Sequence, residues 1–259
     1  ARYGNDGRQA IVGDNYLDIN DRAYGNNVLL TADAAIGTMI AGVIAGQRDV
    51  EGRNNPIAEQ ARIMTLVVEA GAGEPYLKDM ALAIRYAVEH GASVVVLPQQ
   101  NSLYPEVQKQ WISEAIRYAE QKGGLVIVPV HEMSRDMSEE TFFPNRWMDG
   151  GKELTNLMTV GMSDKEGMPS ANSNFGAKEL DIYAPGIKVL SACTGDIYQY
   201  GNGVPMASAM VAGVAALIKT YYPKLTGSQI RDILLQTVTS RKGVELEKNV
   251  TRGGKNAVD

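Results

Sequence analysis

Two stretches of this chain are apolar nearly all the way round. Residues 34–46 read AAIGTMIAGVIAG and residues 206–218 read MASAMVAGVAALI. A helix lying on a protein surface carries one apolar stripe, whereas a helix apolar on every side has to be buried. The glycines and alanines let neighbouring backbones approach closely, so such a helix has few ways to pack. Composition alone makes these two core helices, and their small residues put them at the centre of a fold.

The rest of the chain alternates short β-rich runs with amphipathic helical patterns. Residues 62–68 (RIMTLVV) read as a buried strand. A helix over 76–90 follows, with Ala81, Ile84, Ala87 and Val88 on one face. Residues 93–97 give a second strand. Residues 105–121 give a helix with Trp111, Ala115, Ile116 and Ala119 as its inner stripe. Further strands are expected at 124–128, 157–161 and 180–183. This alternation implies right-handed crossovers and a parallel sheet with helices on both faces. No repeat or low-complexity linker divides the 259 residues, so one α/β domain over 1–259 is expected.

Bulk properties remove several function classes. The formal net charge is −5, without the Lys/Arg surplus that phosphate binding needs, which argues against nucleic acid as a partner. By sequence, no apolar run reaches the roughly 18 residues of a membrane span. The opening residues Ala1 to Asp6 are polar and do not read as a signal peptide. A leader removed from a longer precursor would leave the compartment open. One cysteine, Cys193, excludes an internal disulfide, and two histidines, His90 and His131, leave little material for metal or acid–base chemistry.

An ordered series of motifs then narrows the fold. Residues 37–45 (GTMIAGVIA) are similar to a helix that begins His-Gly-Thr-His-Val-Ala-Gly, and residues 203–213 (GVPMASAMVAG) to one that reads Gly-Thr-Ser-Met-Ala-Ser-Pro-x-Val-Ala-Gly. Between them, Ser173-Asn174-Phe175-Gly176 and Asp181-Ile182-Tyr183-Ala184-Pro185-Gly186 match further motifs in order. Tyr222-Pro223-Lys224-Leu225-Thr226, with a helix over 229–238, matches another. Tyr24-Gly25-Asn26-Asn27 is similar to a bacterial (Bacteroidetes-type) subgroup. Together these residues resemble the subtilase (subtilisin-like, peptidase S8) family. The resemblance implies a three-layer α/β/α fold with a mainly parallel central sheet.

The same correspondence places non-catalytic residues at the family's catalytic positions. The histidine base falls at Ile36 and the second motif histidine at Met39. The nucleophilic serine falls at Pro205, and the oxyanion-hole asparagine at Met133, within Val130-His131-Glu132-Met133. The substrate-edge segment becomes Leu97-Pro98-Gln99-Gln100. Acyl transfer needs a nucleophile, a base within hydrogen-bond reach and donors aimed at the oxyanion. Ile36 has nothing to take a proton. Pro205 lacks both the hydroxyl and the backbone N–H that serves as an oxyanion donor in subtilases. Each lost oxyanion donor typically costs about 100- to 1,000-fold in turnover. The expectation is an inactive homologue that binds a protein or peptide, or acts as a structural or regulatory module. The alternatives are a serine endopeptidase proper, and a different hydrolase built on His131 and Glu132. Ile36 and Met133 are expected to close the former cleft as an apolar plug.

The family's aspartate strand has no clear match. Asp14, in AIVGDN, is a weak alternative to a turn or surface aspartate. The expectation is that this strand lies on residues preceding Ala1. A segment of the same precursor, or a separate fragment, would then complete the sheet. His90 reads as a helix cap, Cys193 as a small apolar residue, and Tyr198 and Tyr200 as packing or rim aromatics. Residues 4–7 and 14–21 are polar loops in which calcium is an option by family resemblance only, and no other cofactor is implied. Subtilases are commonly exported, so the resemblance implies an extracytoplasmic protein.

Overall fold

The computed structural model describes residues 12–29, 31, 34–48, 52, 55–68, 76–98, 100, 106–147 and 151–240. Its centre is a sheet of four parallel strands: β1 (Val94–Val96), β2 (Leu125–Pro129), β3 (Leu157–Ser163) and β4 (Ile182–Pro185). Spatial order equals chain order, with Val95 opposite Val126, Val128 opposite Thr159 and Gly161 opposite Tyr183. β2 and β3 are buried at every residue, as strands of a parallel sheet covered on both faces are.

Successive strand residues point to opposite faces, and that alternation sorts the core into two halves. Leu125 and Ile127 join one cluster, which α1 (Ala35–Ala45), α4 (Val204–Tyr221) and α5 (Gly227–Thr237) cover with Met39, Val43, Ala207, Val211, Ala215, Ile230 and Leu234. Val126 and Val128 join the other, covered by α2 (Leu77–Glu89) and α3 (Glu106–Gln121) through Leu77, Met80, Ile84, Ile112 and Ile116. The result is the α/β/α sandwich that the alternation of elements predicts. The anticipated stripes of α2 and α3 are buried, except that Trp111 is only partly covered. Pro105, expected to open α3, lies outside the described residues.

α4 packs on all four strands and on α1. At 18 residues it is long and apolar enough to cross a membrane, contrary to the reading that no run reaches that length. About half of it is buried inside the fold, so its apolarity is that of a core helix. A hairpin of β5 (Val189–Cys193) and β6 (Ile197–Gly201) leads into it. α5 opens with a reciprocal cap: the Gln229 N–H donates to Thr226 Oγ1 and the Thr226 N–H to Gln229 Oε1. Gly227 then meets the start of β2, where a Cβ would stand 2.4 Å from Gly124 and Leu125 backbone atoms.

Residues 62–68 depart from expectation. They make no ladder among the described residues, and Ile63, Met64 and Val67 are substantially exposed. β1 pairs with β2 alone among the described residues and is only half-buried. Both facts have one physical reason: an apolar run becomes a buried strand only where a neighbour pairs with it.

Asp14 also departs from the turn or surface reading. It is buried, and Lys78 Nζ, itself fully buried, donates to Asp14 Oδ2 and to the Asn15 carbonyl, each at 2.8 Å. The Tyr24 ring lies 4.3 Å from the same ammonium. The Tyr24 hydroxyl donates to Asp79 Oδ1. Burial, reinforced by that carboxylate, pushes the Tyr24 phenol well above its ordinary range.

Candidate functional site

β2 runs out at Pro129, and the chain then turns through residues 130–135 beside the N-terminus of α4. Asn174 holds this turn. It is fully buried, its Oδ1 accepts from the Met133 and Arg135 N–H groups at 3.0 and 3.1 Å, and its own N–H donates to the His131 carbonyl. The turn aims Glu132 at α4, where Glu132 Oε1 accepts from the Val204 N–H at 2.6 Å. His131 Nδ1 accepts from the Glu132 N–H, which leaves this imidazole turned back on its own backbone.

Glycines set the other side of the site. Gly203, the residue before α4, has φ +123°, and its N–H donates to the Gly186 carbonyl at 2.8 Å. A Cβ on Gly186 would lie 2.7 Å from the Gly203 carbonyl oxygen, and one on Gly203 would lie 2.7 Å from Glu132 Oε1. The end of β4, the start of α4 and the Glu132 carboxylate therefore meet at distances that exclude side chains at both positions. Pro205 follows at the second helical position, where the missing N–H breaks no helical hydrogen bond.

α1 approaches from the β5–β6 side. Ser191 Oγ donates to the Met39 carbonyl, and a Cβ on Gly42 would lie 2.3 Å from that same Oγ. The Met39 and Met206 side chains converge on Gly201. Ile36, one turn earlier on α1, points outward and is 53% exposed.

The sequence profile of the subtilase family (peptidase S8) matches residues 18–255. The chain belongs to the subtilase family. It is 30% identical over 207 residues to the thermophilic serine proteinase of Bacillus sp. (strain AK1), a match covering 80% of this chain and 47% of that protein. To subtilisin BL of Lederbergia lenta it is 30% identical over 204 residues, covering 79% of this chain and 70% of the relative. The chain thus spans about half the length of the first relative and more of the second. Among solved structures, a cold-adapted subtilisin-like serine proteinase superposes with TM-score 0.71 at 22% identity, covering 95% of this chain and 79% of that one. The epidermin leader peptide processing serine protease of Staphylococcus aureus superposes with TM-score 0.75 at 20% identity, covering 95% and 68%.

In this subtilase, the residues assigned to the catalytic positions do not all come together. Pro205 and Met39 sit in the first halves of α4 and α1, which pack on each other. Met133 is 46% exposed and its N–H donates to Asn174, whereas the Glu132 carboxylate accepts from the helix end. The exposure of Ile36 and Met133 also overturns the apolar plug. What fills the helix end is a carboxylate, not hydrocarbon. Glu132 is itself exposed to solvent and is satisfied by the Val204 N–H.

Other candidates find structural roles. His90 caps α2, with its Nδ1 2.8 Å from the Tyr86 carbonyl. Gln100 is buried, with its Nε2 donating to the Pro144 carbonyl at 2.7 Å, while Gln99 lies outside the described residues. Cys193 is partly covered at the end of β5, and Tyr198 and Tyr200 are exposed on β6. Within 14–21, the Asp14 carboxylate is bound to Lys78. Asp18 Oδ1 and Asp21 Oδ2 accept from the Asn20 and Asn15 N–H groups. No group of three or more His, Cys, Asp or Glu side chains converges among the described residues. Residues 4–7 lie outside them.

Proposed function

We propose that this subtilase homologue does not cut peptide bonds, and serves as a protein- or peptide-binding or structural module outside the cytoplasm. The observation carrying this reading is the start of α4. The nucleophile position is Pro205, with neither hydroxyl nor N–H, and the neighbouring Val204 N–H is taken by Glu132. Ile36 adds a hydrocarbon where the family has its base. Loss of nucleophile and base together leaves only the background of binding, a loss on the order of a million-fold in a comparable enzyme. Export is supported by family membership alone. The test is labelling of the purified chain with a fluorophosphonate probe, alongside casein hydrolysis. The expected result is no covalent adduct and no rate that scales with the chain's concentration. An adduct, or such a rate, would return the protein to the serine endopeptidases of its family.

The sheet edge supports a partner of defined chemistry. The Leu125 N–H donates to the Ser93 carbonyl and the Leu97 N–H to the Ile127 carbonyl, so odd-numbered residues of this segment face β2. Strand geometry then turns the N–H and C=O groups of Val94 and Val96 to the far edge. Unpaired backbone groups beside a core carry a free-energy cost. We read this edge as the seat of one more parallel strand, apolar on both faces, supplied by a segment of the same precursor N-terminal to this chain. Amide hydrogen exchange checks it. Val94 and Val96 are expected to exchange more slowly in an N-terminally extended chain than in this one. Equal rates in the two would sink the idea.

A further inference from the structure

The donors in the first turn of α4 can be accounted for one by one. The Val204 N–H goes to Glu132 Oε1 at 2.6 Å. Pro205 has none. The Met206 N–H returns to the Gly203 carbonyl at 3.0 Å, and the Ala207 N–H reaches the same oxygen at 3.4 Å. A helix N-terminus normally offers several unpaired N–H groups and a partial positive charge to an incoming anion. Here each is used within the chain or is missing.

The carboxylate that uses the first of them is built in. Gly203 lacks the Cβ that would stand 2.7 Å from Oε1 and 3.6 Å from the Glu132 carboxyl carbon. Asn174, from the β3–β4 connection, holds the turn that carries Glu132 by two hydrogen bonds. We propose that Glu132 is a self-supplied anion that closes the N-terminus of α4 to any external carbonyl or carboxylate oxygen. The contact is autoinhibitory in the literal sense: the chain occupies its own acceptor position. A carbonyl oxygen entering there would have to displace a charged acceptor already at hydrogen-bond distance. The proposal rests on reading this helix end as the family's former oxyanion pocket.

The Val204 amide cross-peak in a 1H–15N spectrum reports the contact directly. Acetate is the probe, added at constant pH and ionic strength against a chloride control. In the unaltered chain the Val204 peak is expected to stay put. In Glu132→Ala it is expected to shift saturably with acetate and not with chloride. Glu132→Gln keeps an oxygen acceptor of the same reach and is expected to behave like the unaltered chain. If Glu132→Ala does not fold, Glu132→Ser, too short to reach Val204, takes its place. An acetate response in the unaltered chain overturns the proposal, as does a folded Ala or Ser variant with no response. Fluorophosphonate labelling fails or succeeds independently, so a failure of the non-catalytic reading is told apart from a failure of this one.

Discussion

Asp181→Ala is expected to lower the free energy of unfolding by about 3–5 kcal/mol. The Asp181 side chain is almost wholly buried beside two guanidinium groups. Arg231 Nη2 donates to its Oδ1 at 2.7 Å and Arg146 Nη1 lies 3.3 Å from the same oxygen. Its Oδ2 accepts from the Thr159 N–H at 2.9 Å, on the neighbouring strand β3. Removing the carboxylate leaves Arg231, itself buried, with Glu153 at 3.9 Å as its remaining anion among the described residues. An uncompensated buried cation costs several kilocalories, more than the pair contributed while intact. The carboxylate also joins α5 to the β3–β4 edge, so the loss falls on the packing of a whole helix. Urea unfolding of the two proteins checks the figure. A midpoint unchanged from the parent would mean that water or Glu153 replaces Asp181 without cost.

Lys78→Met is expected to cost a similar amount, about 3–5 kcal/mol, for the mirror-image reason. Methionine fills the aliphatic part of the site but leaves the Asp14 carboxylate buried without its cation. The double variant Asp14→Asn with Lys78→Met is expected to lose less than Lys78→Met alone, because no bare charge then remains. The comparison separates the worth of the pair from the penalty of a widowed partner. A double variant as unstable as the sum of its singles would show that Asp14 and Lys78 act independently. The ammonium also lies against the Tyr24 ring and bonds the Asn15 carbonyl, so residues 14–24 should loosen from α2 first.

The two glycine- and alanine-rich helices were legible as helices packed together in the core, but their burial on every side was not met: Ile36 on α1 is 53% exposed and about half of α4 is buried. The sheet was legible too, since β2 is an unbroken apolar run and β3 is predominantly apolar. Residues 62–68 carry the same apolar signal and yet form no ladder among the described residues. Composition states what a strand is made of and not whether a neighbour is present to pair with it. The Asp181–Arg231 and Asp14–Lys78 pairs span 50 and 64 residues, distances over which a charge in a sequence gives no sign of its partner. The identities of Pro205 and Ile36, neither of which carries a titratable group or a hydroxyl, are legible in the sequence without any structure. The Glu132 contact with the Val204 N–H was not legible, because it joins residues 72 positions apart.

The contact between Gly186 and Gly203 separates ancestry from activity. A methyl group at either position would wedge the opening turn of α4 away from the end of β4. Architecture alone therefore preserves these two glycines, whether or not a substrate is ever turned over. The sequence signature at this corner is thus a record of how tightly two backbones meet, and it carries no information about turnover.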